Sequence, residues 1–346
     1  MPYYYPLKKM NKDERLRTTD NLLKLRSQLD AEIPQKTATD TLLLATWNIR
    51  EFSGKRNQES LHYIAEIISR FDLIAIQEVS ADLKGLEKLI SLLDSNWDYI
   101  VTDSTDGGAG GGERMAFVFD KSKVAFKKMA GEITLPPEKL IDGKLQFART
   151  PYCVAFQANW FKFLITTVHI YYGSTAVKDK EKRAKEIDTL TSILAKRAKN
   201  EEVSYILLGD FNIPDVNDLT MASLQKYGFS VPASIQQHPS DLGGTSKHYD
   251  QIAFNLKLND KMVVFSEKEQ KAGAFNFAKT VYTKADLETY KPYFSAKNVE
   301  GKTAQAIEKY YLSTWRTFQM SDHLPLWVEL KIDFSNQYLE TIKAEI

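Results

Sequence analysis

The sequence predicts an α/β (α+β) fold: two mixed β-sheets packed together and flanked by helices, with an N-terminal helix and a helical insertion. Three observations carry this reading. "TLLLATWNI" (41–49) and "DLIAIQEV" (72–79) are unbroken apolar runs, as strands covered on both faces show. A helically spaced segment follows each of them, which is the pattern of a parallel α/β unit. Further along, strand-like runs succeed one another without intervening helices, which a purely parallel sheet does not allow. Two mixed sheets with helices outside satisfy all three.

Residues 12–33 are polar with leucines at 22, 25 and 29, the spacing of an amphipathic helix. That helix packs on the body of the protein or, in a weaker reading, serves a protein partner or a dimer. Pro34 and "QKTATD" form a linker, so 1–40 reads as an N-terminal helical extension. The main domain spans 41–332. After the first strand, "ESLHYIAEIISRF" (59–71) is helical, and after the second so is "ADLKGLEKLISLLD" (81–94). "WDYIVTD" (97–103), "ERMAFVFD" (113–120), "YCVAFQAN" (152–159) and "FKFLITTVHI" (161–170) are strands. The glycine run 107–112 reads as a hairpin rather than a phosphate cradle, since no helix starts after it. A charged helix covers about 178–199, and strands follow at 204–211, 248–255 and 324–332. Residues 256–319, rich in lysine and tyrosine, read as a mostly helical insertion without core strands, and 333–346 as a C-terminal tail.

Composition excludes little. The 346 residues, 43% of them hydrophobic, suffice for one large domain or two. With 46 Lys+Arg against 45 Asp+Glu, the formal net charge is +1, compatible with a locally basic face. A single cysteine, Cys153, forbids an intramolecular disulfide and fits a reducing compartment, though a periplasmic protein can also lack disulfides. No signal-peptide pattern and no apolar stretch of about 18 residues is present, so the sequence reads as cytoplasmic, with no transmembrane segment.

The chemistry sits at strand ends. Glu78 closes a run of Leu, Ile and Ala, where an ionised carboxylate wants a cation. Asn48 ends the first strand in the same manner and can orient Glu78 or touch a phosphate oxygen. Asp210 and Asn212, two apart in "GDFN", share one face if the strand stays extended; the carboxylate can activate water and the amide steady an oxyanion. Asp322 is a candidate metal ligand, and His323 beside it a candidate acid or base, with Asp250 to hold its tautomer. His169 closes "LITTVHI", and Glu113 can orient it. Two carboxylate–histidine pairs around one metal suit phosphodiester hydrolysis: one helps water attack, the other protonates the leaving oxygen.

In order, "TWNIREF", "IQEV", "ERMAFVF", "ARTP", "VHI", "LLGDFN", "HYDQI" and "SDHLPL" resemble the endonuclease/exonuclease/phosphatase superfamily, within it the deoxyribonuclease I-like branch, from about 41 to 332. The resemblance implies a four-layer sandwich with a divalent-metal phosphohydrolase site at one edge of the sheets. It implies Glu78 as principal metal ligand with Asn48 beside it, and Asp210, Asn212 and Asp322 completing the polar site. His169 and His323 become the acid/base pair, held by Glu113 and Asp250. It also implies Arg149, Arg50 and Thr245 as phosphate or substrate contacts, and Mg²⁺ as cofactor, with Mn²⁺ or Ca²⁺ as alternatives. Ser80 stands where the branch carries an arginine, and the glycine run replaces its minor-groove arginine and tyrosine. The expected activity is a DNA endonuclease, nicking or non-specific. The alternatives are a phosphatase or phosphodiesterase acting on a lipid headgroup, inositol phosphate or nucleotide, and a non-catalytic scaffold.

Overall fold

The computed structural model describes residues 2–104, 112–201, 203–257 and 271–345. One sheet contains β1 (Thr41–Phe52), β2 (Leu73–Ser80), β3 (Trp97–Val101), β4 (Glu113–Asp120), β10 (Ala272–Ala274) and β11 (Leu326–Lys331), in the order β10-β11-β1-β2-β4-β3. The other contains β5 (Val124–Glu132), β6 (Tyr152–Ala158), β7 (Phe161–His169), β8 (Ser204–Asp210) and β9 (Asp250–Asn255), in that order. Each sheet has one parallel pair at its centre, β1/β2 and β7/β8; the other neighbours are antiparallel.

The unbroken apolar runs follow from this layering. Leu42 and Leu44 of β1 point to the core shared with the second sheet, while Leu43, Ala45 and Trp47 point to the helical layer. That layer holds α1 (Lys12–Glu32), α2 (Gln58–Ile68) and α3 (Lys84–Leu92). Asn11 and Asn57 accept the Glu14 and Ser60 N–H groups and so cap α1 and α2. Leu22, Leu25 and Leu29 are buried in the same core as α2, so the leucine stripe is spent within the chain. On the opposite side, α4 (Val177–Glu201) covers the second sheet with Ile187, Leu190 and Leu194.

Three expectations need correcting. β5 went unpredicted because it is an edge strand: after Val124 its residues are exposed, and a bulge at Lys128 (φ 59°) breaks its alternation. The insertion is not free of strand, since Ala272–Ala274 pairs with β11. The tail contains a helix, Ser335–Ala344, whose described residues are all exposed or half-buried. The expected glycine hairpin lies outside the described residues except Gly112, as does 258–270 of the insertion. Among the described residues no helix is long and apolar enough to cross a membrane.

Candidate active site

Both parallel pairs end at the same edge of the sandwich. Asn48 lies near the end of β1, Glu78 near the end of β2, and His169 and Asp210 close β7 and β8. The antiparallel neighbours contribute their first residues, Glu113 of β4 and Asp250 of β9. Strand register does much of the positioning: His169, Asp210 and Asp250 are successive partners across the second sheet. Gly209 permits this row. Its φ is 132°, and a Cβ there would lie 2.2 Å from the Val168 carbonyl oxygen, so only glycine lets the chain pass.

Glu78 is aimed by a bulge. The register of β2 slips against β1 beyond Asn48 and against β4 between Ile76 and Val79. Glu78 sits there with φ 60°, and Glu51 opposite with φ 44°. Left-handed backbone in such residues costs roughly 1–2 kcal/mol each. The Glu51 N–H donates to Glu78 Oε2 at 2.8 Å, and Asn48 Nδ2 donates to Oε1 at 3.0 Å. The same Nδ2 donates to Asp210 Oδ2 at 3.0 Å, which joins the two sheets through one amide.

Asp210 is shared. Its Oδ2 lies 3.5 Å from His169 Nε2 and 3.8 Å from His323 Nε2, and its Oδ1 accepts the Asn212 N–H at 2.8 Å. Each histidine has its own second carboxylate: Glu113 is 3.3 Å from His169 Nδ1, and Asp250 is 2.7 Å from His323 Nδ1. Ser240 donates to Asp250 at 2.6 Å, and Arg149 pairs with Glu113.

The surroundings split the two histidines. Burial pulls His169 below its ordinary value, and Arg149 and His323 add to that against Asp210 and Glu78. Burial also opposes the charged form of His323, but Asp250 and Asp210 outweigh it and raise His323 well above its ordinary value. Burial alone would raise Glu78 and Asp210; the facing histidines and the hydrogen bonds to Asn48 and to the backbone bring both below the usual carboxylate range. Burial raises Asp250. His169 is therefore the neutral member and His323 the charged one near neutrality.

The structure brings together Asn48, Glu78, Glu113, Arg149, His169, Asp210, Asp250 and His323. The other expected residues lie differently. Asn212 is not on an extended strand: β8 ends at Asp210, and Asn212 adopts φ 53° with its amide donating to the Ile170 carbonyl at 2.8 Å. Asp322, half exposed, pairs with Arg50 at 3.5 Å rather than joining Glu78. Arg50 also donates to Thr317 at 2.7 Å. Thr245 is exposed, and its hydroxyl donates to Asp241 at 2.8 Å.

Supporting residues without a sequence signal hold the loops. Ser321 donates to the Asn48 carbonyl at 2.6 Å and accepts the His323 N–H at 3.0 Å. Buried Arg56 donates to the carbonyls of Arg50, Phe318 and Met320. Buried Arg183 donates to the Asn212 and Tyr172 carbonyls at 2.6 Å each, and Glu186 accepts from Ala148 and Tyr171. Each of these residues makes at least one bond to a backbone group far away in sequence, which leaves no local pattern.

A cation fits the donor set. Asn48 Oδ1 is buried without a hydrogen-bond partner beside the Glu78 carboxylate. Ligand atoms of Glu78, Glu113 and His169 lie within 4.8 Å of one another, as do those of Asp210, Asp250 and His323. Carboxylate and amide oxygens suit a hard divalent ion. Glu78, Glu113 and Arg149 open onto a cleft of about 940 Å³.

The profile of the Endonuclease/Exonuclease/phosphatase family matches residues 45–258. The sequence is 24% identical over 324 residues to deoxyribonuclease gamma of Mus musculus, covering 88% of this chain and 89% of that protein. It is 24% identical over 323 residues to the Rattus norvegicus deoxyribonuclease gamma, covering 88% of each. A solved endonuclease/exonuclease/phosphatase family protein from Bacteroides thetaiotaomicron superposes with a TM-score of 0.53 at 19% identity, over 86% of this chain and 97% of its own. The mannosyl-6-phosphatase of the same organism gives 0.52 at 17% identity, over 84% and 99%. At these identities the structural likeness is one of fold.

Proposed function

This chain belongs to the endonuclease/exonuclease/phosphatase family, and from that premise we propose that it is a divalent-metal-dependent phosphodiester hydrolase that cuts DNA. One observation carries the reading: a single amide, Asn48, ties Glu78 to Asp210 between two carboxylate–histidine pairs. The deoxyribonuclease gamma relatives support DNA as substrate.

Glu78 and Asn48 would hold the cation, with Mg²⁺ the first candidate and Mn²⁺ or Ca²⁺ the alternatives. When bound, it supplies charge against the phosphoryl oxygens. The chain's own groups do the proton work. Neutral His169 and Asp210 are placed to take a proton from water attacking phosphorus. Charged His323, held by Asp250, is placed to give one to the leaving oxygen. Arg149, at the cleft wall, is placed to face the phosphate. Asp322 and Arg50 form a pair in which the arginine can meet a flanking phosphate; Thr245 is exposed and bonded to Asp241.

Supercoiled plasmid with Mg²⁺ tests this. Wild type should nick it, and Glu78→Ala and His169→Ala should not. If wild type behaves like both variants, the proposal fails. A second reading, a phosphatase or phosphodiesterase for a small ester, is favoured by the same open cleft, where Lys55 and Lys84 join Arg149. Phosphate release from inositol phosphates, lipid headgroups and nucleotides separates the two readings.

A further inference from the structure

On the helical side of the six-stranded sheet, a cavity of about 420 Å³ opens between the start of α1, the start of α2 and the insertion. The chemistry above does not use it. Its walls combine the rings of Tyr290, Tyr293 and Trp315 with the Arg17 guanidinium and the amides of Asn57 and Gln319. Arg17 lies over Tyr290 and Tyr293, 5.0 and 5.9 Å from their centroids, and Glu59 fixes it at 2.8 Å. Glu59 also accepts from the Tyr63 and Tyr290 hydroxyls at 2.7 Å each, so this wall is rigid. Tyr290 is packed inside the insertion and 1% exposed, whereas Tyr293, its ring centroid 6.4 Å from that of Tyr290, stays 53% exposed at the same wall. The charges cancel, Lys9 and Arg17 against Glu14 and Glu59, which suits a neutral planar ring better than a phosphate.

The cavity is near the catalytic edge. Gln319 is four residues before His323, so their Cα atoms are at most about 14 Å apart. Just before that interval Phe318, 36% exposed, carries the Arg50 guanidinium 4.0 Å from its ring centroid, and Arg50 pairs with Asp322 inside it. A line of planar and cationic groups thus leads from His323 toward the cavity.

We propose that this cavity is a nucleobase subsite, taking an unpaired base of a strand whose phosphodiester lies at the catalytic centre. Aromatic and guanidinium planes hold single-stranded bases by stacking, while the Asn57 and Gln319 amides bond each other at 2.8 Å in the same wall. The inference rests on the nuclease reading. It also assigns a role to the insertion: unpaired bases are gripped there.

The test is binding of a single-stranded oligodeoxynucleotide of about a dozen residues in EDTA, with cleavage of the same strand followed in Mg²⁺. Tyr293→Ala should weaken binding about tenfold, within the range for one stacked base. Tyr338→Ala, an exposed ring on the C-terminal helix, should not. A 5-iodouracil-substituted strand irradiated with the unaltered protein should crosslink to Tyr293 or Trp315, a readout independent of how any variant folds. If wild type cuts the strand while Tyr293→Ala binds equally well and crosslinks map elsewhere, the subsite is overturned and the nuclease reading stands. If wild type neither binds nor cuts any nucleic acid, the nuclease reading fails and the subsite with it.

Discussion

Replacing Asp250 with asparagine keeps the shape of the side chain and removes the charge 2.7 Å from His323 Nδ1. The Ser240 hydroxyl at 2.6 Å can still donate to the new amide oxygen. What is lost is a charge-assisted bond, worth about 1.5–3 kcal/mol. At about 1.4 kcal/mol per tenfold, kcat/KM at neutral pH should fall roughly 10- to 150-fold, because less His323 is charged. The pH profile is more diagnostic. In wild type, His169 should set the acid limb, expected below the ordinary histidine value because burial lowers it. His323 should set the alkaline limb, expected well above that value because Asp250 and Asp210 overcome burial. In Asp250→Asn the alkaline limb should move toward acid while the acid limb stays. Stability follows the same sign. A raised folded-state value means that the His323 contribution is full below the unfolded value of about 6.5. It is lost as pH rises through the folded value, and the variant should lose that dependence. The measurements are kcat/KM across pH on a labelled oligonucleotide and denaturant midpoints across the same range. An alkaline limb that overlays wild type would refute the assignment of His323 as the charged donor.

Three further perturbations test other parts of the site. Asn48→Ala removes the amide that orients Glu78 and should weaken divalent-ion affinity about 10- to 100-fold by calorimetry; an unchanged binding heat would remove Asn48 from the cation site. Gly209→Ala places a methyl 2.2 Å from the Val168 carbonyl oxygen at φ 132°. It should cost more than about 2 kcal/mol in urea unfolding, and a midpoint equal to wild type would show that β7 and β8 are not packed so closely. Arg56→Met leaves the carbonyls of Arg50, Phe318 and Met320 without their buried donor. A loss of about 1–3 kcal/mol for each unpaired group is the expected scale, read by thermal unfolding, with a fall in kcat as the segment before His323 loosens; wild-type values for both would deny Arg56 that role.

The sheets were legible in the sequence where burial is two-sided. β1, β2, β7 and β8 are central, so both faces are apolar and the runs are continuous. β5 failed because an edge strand with one solvent face and a bulge looks like charged loop, "VAFKKMAGE". Ala272–Ala274 failed for a simpler reason: three small residues carry no period. The carboxylate–histidine partnerships of Glu113 with His169 and Asp250 with His323 were readable only through the ordered set of strings, since each joins residues more than fifty apart in sequence.

What the sequence missed at the site has a common physical origin. The argument that Asp210 and Asn212 share a strand face assumed extended backbone, yet Asn212 turns left-handed immediately after the strand. Glu78 and Glu51 do the same, in the bulge between β1 and β2. Period-two reasoning therefore breaks at the residues that carry the chemistry, because a straight strand alternates its side chains between the two faces instead of converging them on one point. The strain is tolerated because the strands behind it are fully buried and cannot slip without exposing Leu42, Leu44, Leu73 and Ala75. The packed sheets are thus what lets three left-handed residues hold Asn48, Glu78 and Asp210 in one bonded set, and relieving the bulge should disperse the site before it unfolds the protein.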